Sequence, residues 1–166
     1  MRTLIVVRHA KSDWSVPAGD TERPLAPRGR RQAPHVGRWI AAHLEPVDLA
    51  VVSPATRAGQ TWELAAAELS TPPPVSVEAD AYAFDGDDLL ALVGRLPDEA
   101  RTVALVGHNP AVEELVESLT GQWVRMPTAA LAVVTLPTWT SETGRLMAAG
   151  RPADGPLPLA PGRAPA

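Results

Sequence analysis

Cysteine is absent from the 166 residues, which excludes a disulfide framework, a thiolate nucleophile and a cysteine-ligated zinc, and fits a reducing compartment. Lysine is reduced to Lys11, and arginine supplies the other fourteen of the fifteen basic side chains. With a net charge of −4, the chain lacks the concentrated basic footprint of a general nucleic-acid binder. It also lacks any uncharged apolar run of about eighteen residues, so no membrane span is expected. The N-terminal apolar stretch ends at Arg8, His9 and Lys11, too soon for a signal peptide, and reads as a core strand of a cytoplasmic protein. No G-x-G-x-x-G follows that strand, which argues against a dinucleotide-binding module.

What is present is 45% hydrophobic, enough for one substantial core. Apolar runs at 3–7, 49–52, 75–77 and 102–106 alternate with helical patterns over about 28–44, from Ser53 and Pro54 to Leu69, over about 87–96, and from Asn109 and Pro110 to near Gly121. Leu131 to Leu136 and Arg145 to Ala148 resemble a hairpin at one edge. This alternation predicts a single α/β domain, three-layer α/β/α, with a mostly parallel central sheet and an antiparallel edge. Pro34 falls within the first helical pattern, where it should sit early or bend the helix. Ser53 and Asn109, each followed by proline, read as helix caps. The domain is expected over 1–149, with the Pro/Ala/Gly-rich stretch 150–166 a disordered tail.

Three loops follow three of the expected parallel strands: Arg8-His9-Ala10-Lys11-Ser12, Ser53-Pro54-Ala55-Thr56-Arg57 and Gly107-His108-Asn109-Pro110. Ligands in open α/β sheets bind outside the carboxyl ends of strands, so Arg8, His9, Arg57 and His108 can converge on one crevice. Two arginines and two histidines beside helix N-termini make a pocket suited to phosphate. Without a thiol or a carboxylate cluster for metal, a neutral imidazole is the best nucleophile on offer.

The stretches VVRHAKS (6–12), ERPLAPRG (22–29), VVSPATRAGQT (51–61) and VGHNPAVEEL (106–115), in that order, resemble the histidine phosphatase (phosphoglycerate mutase-like) superfamily, and within it the short phosphohistidine phosphatases of the SixA type. The resemblance implies a phosphoglycerate mutase-like fold, transient phosphorylation of His9, and a phosphate clamp of Arg8, Arg57 and His108. No metal or organic cofactor is implied. Ala10 stands where the family most often has glycine.

Other residues carry two readings each. Lys11 and Ser12 either contact a substrate anion or shape the loop, Asn109 either orients substrate or caps its helix, and Arg23 is placed at the entrance. Trp14 is a candidate pocket wall, whereas His35 and His43 read as surface residues. Asp80 lies nearest to where the family would place a general acid, but no motif surrounds it. A phosphoryl group leaving from histidine departs with a nitrogen that needs no dedicated acid. The expected partner is therefore a protein bearing phosphohistidine, with a small phosphorylated metabolite as the alternative. From another class, a catalytically silent phosphate-binding module would be marked by loss of a pocket residue.

Overall fold

The computed structural model describes residues 1–158. Its apolar runs form the strands β1 (Arg2–Arg8), β2 (Leu49–Val52), β3 (Val75–Val77), β4 (Thr102–Gly107), β5 (Leu131–Leu136) and β6 (Arg145–Gly150). The helices between them are α1 (Pro27–His43), α2 (Thr56–Ala66), α3 (Gly86–Val93) and α4 (Ala111–Thr120). The strands make one sheet in the order β3-β2-β4-β1-β5-β6, with β1 to β4 parallel and β5 and β6 antiparallel at one edge. This is the expected three-layer domain.

The side-chain period of two divides β1 between the two faces. Leu4 and Val6 pack with Leu89 of α3 and Leu115 and Leu119 of α4, while Ile5 and Val7 pack with Val36 and Ile40 of α1 and Trp62 of α2. Burial on both faces explains why the central strands read as unbroken apolar runs rather than alternating ones.

Parallel register then places the chemistry. Arg8 lies opposite Gly107 and Val52 opposite Val106. The ladder continues past the strand ends, with the His9 N–H donating to the Gly107 carbonyl and the Ser53 N–H to the Val106 carbonyl, each at 3.1 Å. His9, Ser53 and His108 therefore leave the sheet side by side.

Three expectations change. The second and fourth helices begin later than the Ser-Pro and Asn-Pro pairs suggested, behind Ala55 and Pro110, and neither Ser53 nor Asn109 caps them. Both polar side chains are drawn to tertiary partners, described below. Pro34, expected to fall early or to bend its helix, lies in the interior of α1 and so not at its start. The chain from 150 is also not a loose tail as far as residue 158. Gly150 ends β6, Pro152–Asp154 form a 3-10 turn, and Leu157 packs on the α1/α2 side of the core. Residues 159–166 of that expected tail lie outside the described residues. Among the described residues, no helix is long and apolar enough to cross a membrane.

The packing of α1 on α2 depends on Gly37. A Cβ there would stand 1.9 Å from the Ala65 carbonyl oxygen, a backbone atom that cannot rotate away. Gly→Ala inside a helix ordinarily stabilises by about 1 kcal/mol. Gly37→Ala should reverse that sign and destabilise by more than about 1 kcal/mol, measured as a lower urea midpoint at unchanged slope.

Candidate active site

His9 is 8% exposed and fixed at both ring nitrogens. Its Nδ1–H donates to the Ala10 carbonyl at 2.7 Å, which leaves the lone pair on Nε2, facing Arg57 Nε at 3.4 Å. Desolvation by burial pushes its pKa down to about 3, with the neighbouring His108, Arg57 and Arg8 acting in the same direction against the Ala10 hydrogen bond. The ring is thus neutral at physiological pH, with Nε2 unprotonated. The backbone beneath is held by Thr61, whose hydroxyl accepts from the Ala10 N–H at 2.9 Å and donates to the Arg57 carbonyl at 2.7 Å. The Ala10 methyl is buried in the α1/α2 core, where it adds packing that a glycine would not.

Arg57 is 4% exposed and lies between the two histidines. Its Nη2 donates to His108 Nδ1 at 3.3 Å. A guanidinium only donates, so Nδ1 is the acceptor and His108 carries its proton on Nε2, which donates to Ser53 Oγ at 2.7 Å. Burial, reinforced by Arg57, lowers the His108 pKa to about 4. The two imidazole centroids are 5.1 Å apart. Arg8 joins from the other side, its Nη1 donating to the Met126 carbonyl at 3.1 Å while its buried Nε has no partner. His9, Arg57 and His108 are thus in mutual contact, with Arg8 near enough to lower the pKa of both histidines.

The remaining predicted residues divide. Ser12 is buried where its strand bridge to Leu25 ties the loop, and Lys11 is exposed on the rim with its backbone N–H bonded to Gln32. Arg23 stacks 3.6 Å over the exposed Trp14 ring and donates to Asp20 at 3.0 Å. Asn109 donates to Glu113 and to the Met126 carbonyl, bracing the same carbonyl that Arg8 uses. Asp80 pairs with Arg95 at the surface at 2.6 Å. The turn it occupies delivers Tyr82 instead.

Four side chains at the site were not anticipated. Ser53 sets the His108 tautomer. Asp20 accepts from Arg57 Nη2 at 3.1 Å and through its carbonyl from Nη1 at 2.5 Å, and Tyr82 donates to the same carboxylate. These hydrogen bonds, Tyr82's above all, lower the Asp20 pKa to about 2. Tyr82 and Phe84 stand against the His108 ring, each with centroids at 5.3 Å. They are the chain's only tyrosine and phenylalanine, a rarity that marks the segment. Among the described residues, no group of three or more metal-ligating side chains is assembled.

The buried neutral imidazoles tie stability to pH. Between the unfolded value of about 6.5 and the folded value of about 3 for His9, the unfolded chain binds a proton that the folded chain refuses. This contribution is present above about pH 6.5 and is lost as pH falls. The stability of wild type relative to His9→Asn should therefore shrink as pH is lowered through that window, followed by urea unfolding at each pH.

The chain is similar to known proteins in sequence and in fold. Residues 4–81 match the model of the histidine phosphatase superfamily (branch 1). An uncharacterised protein of Mycobacterium tuberculosis is 36% identical over 109 residues, spanning 66% of each chain. One of Mycobacterium leprae is 31% identical over 144 residues, spanning 77% of this chain and 86% of the relative. The structure of the protein histidine phosphatase SixA complexed with tungstate superposes with a TM-score of 0.81 at 26% identity, covering 92% of this chain and 98% of that one. With its motifs assembled as above on that fold, the chain belongs to the histidine phosphatase superfamily, among its short SixA-type members.

Proposed function

We propose that this histidine phosphatase removes the phosphoryl group from phosphohistidine on a protein, passing it through His9. The carrying observation is the protonation of the site. His9 Nε2 is unprotonated and, among the described residues, accepts only from Arg57 Nε, and the carboxylate at the arginine clamp, Asp20, is held ionised near pKa 2, so it is a poor proton donor. An alkoxide leaving from a sugar or serine phosphate needs such a donor, and a leaving imidazole does not. Asp80, the sequence candidate for that role, is engaged by Arg95. The likeness to SixA, described as a protein histidine phosphatase, supports the same reading, and a cytoplasmic setting goes with it.

In the first step His9 Nε2 attacks phosphorus, the bond to the substrate imidazole nitrogen breaks, and that nitrogen keeps the electron pair. Positive charge developing on the His9 ring is stabilised by the Nδ1–H donated to Ala10. Arg8, Arg57 and His108 neutralise the three equatorial oxygens in a loose, in-line transition state. For His108 to donate, its Nδ1 must take up a proton, which an arriving phosphoryl dianion favours. Water then attacks phosphorus, releasing inorganic phosphate and restoring neutral His9. The reaction calls on no metal.

Turnover should vanish in His9→Ala while the fold persists, and Arg57→Ala should lower kcat by about 10²–10³-fold. The deciding assay compares hydrolysis of a phosphohistidine protein, an aryl phosphate and several sugar phosphates by wild type and His9→Ala in the presence of a chelator. Preference for the phosphohistidine protein is expected. Preference for a sugar phosphate would move the substrate to small phosphomonoesters, and inactivity on all would leave a silent phosphate-binding module.

A further inference from the structure

Beside the catalytic histidines, on the far side of Arg8, runs an open cleft of about 440 Å³ whose rim carries Lys11, Arg28, Arg125 and Arg151. Among the described residues, the side chains of Lys11, Arg28 and Arg125 make no hydrogen bond or ion pair, and all three are exposed. Arg151 is tied to Asp154 at 2.9 Å. The carboxylate lining the cleft, Glu113, already accepts from the Met126 N–H at 2.8 Å and from Asn109 at 3.0 Å. In a chain of net charge −4, three unpaired cations including the single lysine have been gathered at one place.

The backbones that present them are fixed. Lys11 is held by Gln32 and, through its carbonyl, by the Ala26 N–H at 2.9 Å. Gly29 lets α1 approach so closely that a Cβ would stand 2.1 Å from that carbonyl oxygen, which sets Arg28 beside Lys11. On the opposite wall, Met126 is bonded through its N–H to Glu113 and through its carbonyl to Arg8 and Asn109, which sets Arg125. The charges thus stand on rigid supports and face open water.

We propose that this cleft docks an acidic segment of the protein substrate, next to the phosphohistidine that enters the His9 pocket. The inference rests on the phosphoprotein reading above. The choice of occupant follows from charge and exposure. Long cationic side chains spread along an open cleft complement carboxylates distributed along an extended chain, whereas a small second anion is ordinarily held in an enclosed site by buried donors.

The test uses two phosphohistidine peptides, one flanked by aspartates and glutamates and one by neutral polar residues, with an aryl phosphate as control. The double variant Arg28→Ala/Arg125→Ala leaves the catalytic side chains untouched. Wild type should favour the acidic peptide, and the variant should lose about tenfold in kcat/KM on it, through KM. Its activity on the neutral peptide and the aryl phosphate should stay unchanged. Raising ionic strength should weaken wild type on the acidic peptide and affect the variant less. Equal handling of both peptides by wild type, with the variant unaffected, overturns the docking site and leaves the phosphoprotein reading intact. Hydrolysis of the aryl phosphate but of neither peptide overturns both. A loss in the variant confined to a sugar bisphosphate would place a small second phosphate in the cleft and overturn the acidic segment.

Discussion

The parallel pairing of β2, β4 and β1 ends three strands level, and everything at the site hangs from that alignment. Because the ladder carries on past each strand end, the first residues of the three loops keep fixed spacing before any side-chain contact is made. Thr61 then couples the His9 loop to Arg57 on α2, and Ser53 couples the β2 loop to His108. Backbone hydrogen bonds thereby set the spacing of His9, Ser53 and His108, and side-chain hydrogen bonds then place Arg57.

Electrostatics complete the arrangement. Two imidazoles are taken out of water beside two arginines, an environment that disfavours their charged forms. What would be a repulsive cluster of four cations is instead two cations and two neutral rings. Asp20 compensates Arg57 with its carboxylate, 3.1 Å from Nη2. The low pKa values here follow first from burial, and they keep both rings neutral.

Much of this was legible in the chain. Buried parallel strands announce themselves as apolar runs, the helices by their 3.6-residue period, and Arg8, His9, Arg57 and His108 by their places directly after predicted strands. The helix starts were misplaced because Ser53 and Asn109 have side chains equally fit for capping and for tertiary hydrogen bonds, and local sequence cannot tell which partner wins. Asp20 and Tyr82 lie in segments without regular period, far apart in sequence, and meet only because both fold over Arg57.

The sequence by itself determined the class of fold, the placing of Arg8, His9, Arg57 and His108 directly after strands, and the absence of any thiol from the 166 residues, because each depends on residue type and on short-range pattern. Only the tertiary structure decided which nitrogen of each histidine bears the proton, that Asp80 belongs to Arg95 and Asp20 to Arg57, and that Lys11, Arg28 and Arg125 share one cleft. Those outcomes depend on distances between segments remote in the chain, and only the packed sheet and helices fix such distances.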